Sequence, residues 1–182
     1  MGEILLPTPC LYIVAVSSRH DDAFQWAVEK IAAASSPCAL KSPFFQFSET
    51  DYYEPTMGPE LRKQFIAMQD LIDPAALTQI KVQSNRWEHD YSSGAGHPET
   101  RPLNLDPGYL TLGKLVLAST KDHSHRIYLA DGIYAEGTLY YKDKRWQHRE
   151  WTFPDYRRED YHAFFSRCRN YLKGQLRKGP SA

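Results

Sequence analysis

Residues 125–152 read HRIYLADGIYAEGTLYYKDKRWQHREWT, and they decide the fold class. Three runs, His125–Leu129, Tyr134–Tyr141 and Arg145–Thr152, are separated by Ala130-Asp131-Gly132 and Lys142-Asp143-Lys144. Short stretches rich in Ile, Tyr and Trp suit strands, and turn residues between them suit hairpins, with Asp-Gly tolerating the positive φ that a tight loop imposes. Downstream, Asp155 to about Leu176 reads as a terminal helix whose apolar side is Tyr156, Tyr161, Phe164, Phe165, Cys168 and Leu172.

Upstream the signals are mixed. Leu112–Ser119 is apolar and partly β-branched, yet Leu112, Leu115, Val116 and Ala118 also fit a helix, and period alone does not decide. Leu11–Ser17 (LYIVAVS) suits a buried strand, and Ser18–Asp22 then opens a helix over 22–34 with Phe24, Val28, Ile31 and Ala32 on one face. Phe44–Phe47 is an aromatic strand. A second helix is expected from Met57-Gly58-Pro59-Glu60, with Leu61, Phe65, Met68, Leu71 and Ile72 as its buried stripe and Asp73-Pro74 as its stop. A helical turn at 74–78 and a strand over 79–90 follow, in which Ile80, Val82, Ser84 and Arg86 alternate with Lys81, Gln83, Asn85 and Trp87. Residues 91–102 (YSSGAGHPETRP) have the composition of a flexible loop, and 177–182 of a disordered tail. The expectation is one compact α+β domain over 1–182, with a mixed, largely antiparallel sheet packed by about three helices.

The chain has 182 residues, 42% hydrophobic and 24% charged, which excludes a disordered polypeptide. Apolar runs fall short of the roughly 20 residues that span a bilayer. The opening Met-Gly-Glu-Ile-Leu-Leu-Pro lacks the basic flank of a secretory signal, so a cytoplasmic place is expected. Cys10, Cys38 and Cys168 are odd in number and widely spaced, which suits core thiols and neither a disulfide framework nor a Cys-based zinc site. Residues 1–140 hold 11 Lys/Arg and 17 Asp/Glu, residues 141–182 hold 11 and 5. The basic end points either to an acidic partner or to the solvated face of a terminal helix.

Polar chemistry concentrates in four places. Thr50-Asp51-Tyr52-Tyr53-Glu54 follows a strand, where ligand-binding loops often sit. Lys81 and Asn85 share one face of an extended strand, with Glu88 on the other. In Asn104-Leu105-Asp106-Pro107-Gly108-Tyr109, an Asp-Pro-Gly turn would hold the Asp106 carboxylate rigidly. Ser119-Thr120-Lys121-Asp122-His123-Ser124-His125-Arg126 is the densest: Lys121 and Arg126 suit a phosphate or carboxylate, and His125 suits proton transfer near neutral pH. A plain hairpin end, with Arg126 bridged to Asp106 or Glu136, accounts for the same residues. His123 and His125 lie two apart, but no partner stands at ligand spacing, so no metal site is expected. Gly108–Leu115 matches the phosphate-binding pattern G-x-x-x-x-G-K-[ST] except at Leu115, which lacks the hydroxyl, and Thr120-Lys121-Asp122-His123 lacks the final aspartate of the guanine-binding pattern. GTPase activity is not expected.

Thr50-Asp51-Tyr52-Tyr53 with Met57-Gly58, Asn104–Tyr109, Ser119–Asp122 with His125–Leu129, Gly132–Glu136 and Trp151–Arg157 together resemble the domain of unknown function 4416 family over nearly the whole chain. The resemblance implies prokaryotic relatives of about this length, without an established activity and often auto-named GTP-binding. It supplies no mechanism and no cofactor.

The residues point to a small anionic ligand, a nucleotide or phosphorylated metabolite, bound by Lys121 and Arg126 with Asn104, Tyr52, Lys81, Asn85 and Glu136, while His125 and Asp106 are the acid–base candidates for hydrolysis or group transfer. Two other classes remain open. One is nucleic-acid binding through basic residues 142–178 with Tyr140, Tyr141, Trp146 and Trp151 as stacking platforms. The other is a noncatalytic interaction protein.

Overall fold

The computed structural model describes residues 2–47 and 53–178. The elements in chain order are β1 (Cys10–Ser18), α1 (Asp21–Ala34), β2 (Cys38–Lys41), β3 (Phe45–Gln46), α2 (Glu54–Met57), β4 (Arg62–Ile72), α3 (Leu77–Gly94), β5 (Asn104–Leu110), β6 (Lys114–Ser119), β7 (Ile127–Ala130), β8 (Ile133–Lys142), β9 (Arg145–His148) and α4 (Glu159–Lys178). A single turn of 3₁₀ helix over Pro74–Ala76 precedes α3, and another over Pro154–Arg157 precedes α4. The strands form one sheet in the order β2-β4-β1-β5-β6-β8-β7, with β3 on β4 and β9 on β8. Every pairing among the described residues is antiparallel. The protein is an α+β domain, and no helix among the described residues is long and apolar enough to cross a membrane.

Helices cover both faces of the sheet, which explains why β1 is buried along its whole length. Leu11, Ile13 and Ala15 pack with Phe65, Phe164, Phe165 and Leu172 on the α4 side. Tyr12, Val14 and Val16 pack with Phe24, Ala27 and Ile31 of α1 on the other. Each large apolar side chain so buried contributes about 1.5–3 kcal/mol, and the alternation fixes the register, because a one-residue slip would exchange the two faces. Both hairpins of the 125–152 stretch form, with Asp131 and Gly132 at φ 53° and 74°, and Asp143 and Lys144 at φ 52° and 60°.

Two expectations are overturned, in opposite senses. Residues 62–72 are the interior strand β4, not a helix. Phe65 and Ala67 face α4 while Ile66 and Met68 face α1, so both faces are apolar, and that continuous run imitates a helical stripe. Residues 79–90 belong to helix α3, not to a strand. Its buried face is Leu77, Thr78, Lys81, Ser84, Trp87 and Tyr91, and the polar Lys81 and Ser84 inside that stripe broke the helical signal. Residues 91–94, read as part of a loop, are the last turn of the same helix, and residues 177–178, read as tail, end α4. Gly179–Ala182 lie outside the described residues.

Asp106-Pro107-Gly108 is not a turn either; all three lie within β5. The β5–β6 register begins at Gly108↔Leu117, so Pro107 stands where that ladder ends and its missing N–H is tolerated. Gly108 is required by close approach: a Cβ there would collide with the Val116 carbonyl oxygen and lie 2.7 Å from Leu117 Cδ2. Leu112–Ser119, whose pattern fits a helix and a strand alike, supplies β6 from Lys114 onward.

Candidate functional site

β5 and β6 are joined only over Gly108–Leu110 and Leu115–Leu117, whereas β5 continues back to Asn104 and β6 onward to Ser119. Beyond the last pair the strands part, and a cleft of about 530 Å³ lies there. Asn104 and Asp106 line it from β5, Ser119 from β6, Lys121, His123 and Arg126 from the following loop, and Glu136 from β8. Lys81 and Asn85 reach it from α3, Lys63 from β4, and Arg101 from the segment before β5. Phe47, Tyr53, Phe153 and Tyr156 complete an aromatic wall. Five Lys/Arg and three carboxylates line it; Lys63, Lys81 and Arg126 are each paired with one of those carboxylates, and Arg101 is paired with Glu88.

The helical geometry of α3 corrects the strand expectation for Lys81, Asn85 and Glu88. Positions i, i+4 and i+7 share a helix face, so Glu88 lies on the same side as the other two. Lys81 Nζ donates to the Leu105 carbonyl at 2.9 Å and lies 3.5 Å from Asp106 Oδ1. Asn104 Nδ2 donates to Asp106 Oδ2 at 2.7 Å, and Asn104 Oδ1 accepts from Arg101 in a short hydrogen bond. Arg101 also donates to Glu88 Oε2 at 2.9 Å, and Glu88 Oε1 accepts from the Leu105 N–H at 2.7 Å. A polar chain therefore runs from α3 through Asp106, Asn104 and Arg101 back to α3.

Electrostatics follow from this chain. Burial pushes the Asp106 carboxyl up, but Lys81 and Lys63, with the Asn104 hydrogen bond and Arg101, outweigh it and hold the group below its ordinary range. For Glu88 burial prevails over Lys81 and Arg101, and its carboxyl is raised. Asp106 is thus an ionised acceptor with a third of its side chain open to the cleft.

On the opposite wall Arg126 Nε donates to Glu136 Oε2 at 2.8 Å, and its Nη1 donates to Ser119 Oγ at 2.7 Å and to the Lys121 carbonyl at 3.1 Å. Both charged side chains are nearly dry, at 5% and 4% exposure. Of the two bridges considered for Arg126, the one to Glu136 forms. His125 is not among the cleft-lining residues: its Nε2 lies 3.2 Å from Glu136 Oε2, and its ring stacks on Trp151 at 5.4 Å. The imidazole that reaches the cleft is His123.

Deeper in, Lys63 Nζ meets Asp155 Oδ2 at 2.5 Å and stands 3.9 Å over the Phe47 ring. Tyr156 is buried there, and its hydroxyl has no hydrogen-bond partner among the described residues. Burial, then the nearby Asp155 and Asp106, raise this phenol well above its ordinary value, so it stays protonated and able to donate. A buried hydroxyl without a partner costs about 1–3 kcal/mol. Ser17, paired in register with both Lys63 and Asn104, buries another hydroxyl that has no partner among the described residues.

Of the residues expected to bind ligand, Lys81, Asn85, Asn104, Lys121, Arg126 and Glu136 line one cleft, as does Asp106. Tyr52 lies outside the described residues, and its neighbour Tyr53 lines the cleft. Sequence reasoning misses Lys63, Arg101, Asp155 and Tyr156, because it places Lys63 on a helix, Arg101 in a loop, and Asp155 and Tyr156 at the start of the terminal helix. Gly108–Leu115 is part of the β5–β6 hairpin, and no helix follows it as a phosphate-binding loop requires. In the basic C-terminal region Trp146 is buried, which removes one of the four stacking platforms, and Arg149 and Arg169 lie over the rings of Tyr140 and Tyr141 at 4.0 and 3.8 Å.

A family model described as a domain of unknown function (DUF4416) matches residues 8–171, most of the chain. No curated protein and no solved structure matches it.

Proposed function

The chain belongs to the DUF4416 family, and from that premise we propose that its cleft binds a small anionic ligand, a nucleotide or phosphorylated metabolite, in the cytoplasm. The observation that supports this most is the convergence of Lys63, Lys81, Arg101, Lys121 and Arg126, drawn from separate parts of the chain, on one opening whose wall also holds the Tyr156 hydroxyl, unpartnered among the described residues. Cations on facing walls neutralise a phosphate or carboxylate, and Arg supplies a planar fork where Lys supplies a point charge. Phe47, Tyr53 and Phe153 offer flat apolar surface for a base or ring. Asp106, ionised and partly open, accepts from a ligand hydroxyl. For a hydrolytic or transfer reaction, Asp106 is the one of the two acid–base candidates that reaches the cleft, and His125, outside it, helps to hold Glu136 in place.

The test is a thermal-shift screen of nucleotides and phosphorylated metabolites on the unmodified protein and on Lys121→Ala. A ligand at 100 times its Kd stabilises by about 2.7 kcal/mol. At about 2–4 °C per kcal/mol for a chain of this size, the midpoint rises by roughly 5–11 °C. The expected result is such a rise, reduced in Lys121→Ala; no rise with any anion overturns the proposal.

One observation favours a second reading as an interaction protein. β7 is a sheet edge, and Ile127, Tyr128 and Leu129 on it are 71%, 58% and 41% exposed, a surface suited to pairing with a partner strand.

A further inference from the structure

Away from the cleft, the start of α1 and the segment after α3 bring two histidines and two carboxylates together. His20 precedes α1 and Asp22 lies in its first turn. His97 and Glu99 belong to the connection between α3 and β5. The His20 and His97 rings stack with centroids 3.7 Å apart and 14° between planes. His20 Nε2 is 2.9 Å from Glu99 Oε2, and His97 Nε2 is 3.0 Å from Asp22 Oδ2. Among the described residues, His20, Asp22 and His97 are the one group of three or more such side chains whose donor atoms converge, all within 4.8 Å of one another. None of the four residues lines the cleft.

We propose that His20, His97 and Asp22, with Glu99 as a fourth donor, form a binding site for a divalent transition metal of the zinc class. Two imidazoles and two carboxylates are donors that zinc accepts in four-coordinate geometry. Bonds of about 2.0–2.2 Å place such donors some 3.3 Å apart, so closure from the observed spread of up to 4.8 Å requires the stacked imidazoles to rotate out of their near-parallel arrangement until both Nε2 lone pairs converge. The positive end of α1 opposes a cation, and the two carboxylates offset that field.

The surroundings are those of an oriented metal site. Tyr91 donates its hydroxyl to Asp22 Oδ2 at 2.7 Å, and Arg19 donates to Glu99 Oε1 at 3.2 Å, so each carboxylate is held by an outer partner. The imidazoles are 20% and 18% exposed and Asp22 is 62% exposed, which leaves an entry path. A bound metal ties residues 97–99 to the start of α1, two residues before Arg101 enters the cleft.

The experiment is titration of the full chain, stripped with chelator, with Co²⁺ and then Zn²⁺, followed by the visible absorption of four-coordinate Co²⁺. The expected result is one saturable equivalent with that absorption, displaced by Zn²⁺, present in the His148→Ala control and lost in His97→Ala. Tyr91→Phe, which keeps all four donors, weakens binding by about 10-fold or more. Circular dichroism checks the fold of each variant; if His97→Ala does not fold, His97→Gln and Tyr91→Phe decide. No saturable binding, or binding undiminished in the His97 and Tyr91 variants, overturns the proposal.

Discussion

Replacing Arg126 by Ala breaks the Arg126–Glu136 pair on one side only. Glu136 is then left with His125 at 3.2 Å and the Thr138 hydroxyl at 3.3 Å, at 4% exposure. Removing one member of a buried ion pair costs about 3–5 kcal/mol, mostly because the other charge stays desolvated. In addition, Ser119 Oγ and the Lys121 carbonyl lose the guanidinium donor. For a chain of this length that loss lowers the melting midpoint by roughly 6–20 °C. Urea denaturation at neutral pH measures it as a fall in midpoint with an unchanged slope. The double variant Arg126→Met/Glu136→Leu removes both charges and is expected to recover most of the loss, since a well-packed apolar pair is often no less stable than the buried ion pair it replaces. If Arg126→Ala lies within about 1 kcal/mol of the unmodified protein, or the double variant is no better than the single, the pair is not desolvated as described.

Gly108→Ala forces a Cβ against the backbone of β6, and overpacking of this kind costs about 1–3 kcal/mol or more, measured by the same urea curves; a neutral substitution would contradict the close approach. Asp106 has a folded pKa below its unfolded value near 3.9, so its contribution is present above that value and lost as pH falls through the lowered one. Stability measured from pH 6 to pH 2 is therefore expected to fall less steeply on the acid side for Asp106→Asn than for the unmodified protein, and equal slopes would refute the assignment. Ile127→Lys and Tyr128→Lys, on the exposed edge β7, are expected to change stability by no more than about 0.5 kcal/mol while abolishing any strand-mediated association seen by light scattering.

The parts of the fold legible in the sequence are those where local chemistry and tertiary environment agree. Asp131-Gly132 and Asp143-Lys144 adopt the positive φ that tight hairpins demand, and α4 keeps a plain amphipathic stripe because one face meets the sheet. β4 and α3 were exchanged where the two disagree. β4 is buried on both faces, so alternation vanished, while Lys81 and Ser84 occupy the inward face of α3. Lys81 is there because its ammonium reaches the Leu105 carbonyl and Asp106 where β5 and β6 have parted. The polar residue that hid the helix is a cleft residue, and a lone lysine at helical spacing among Leu77, Ser84 and Trp87 was the readable signal. The cluster from Ser119 to Arg126 was legible by density alone. Lys63, Arg101 and Asp155 were not, because their relevance depends on strand register and on a segment that only folding brings alongside. His20-x-Asp22 and His97-x-Glu99 carried a repeated spacing that went unread because their partners are some 75 residues apart.

The most direct test of the anion-binding cleft is an amide ¹H–¹⁵N correlation spectrum followed while pyrophosphate and then a nucleoside triphosphate are added to the full chain. The expected result is saturable shifts centred on Lys81, Asn104–Asp106 and Leu117–Arg126, with α4 beyond Phe164 unmoved. An unchanged spectrum, or shifts confined to the basic surface of α4, would contradict it.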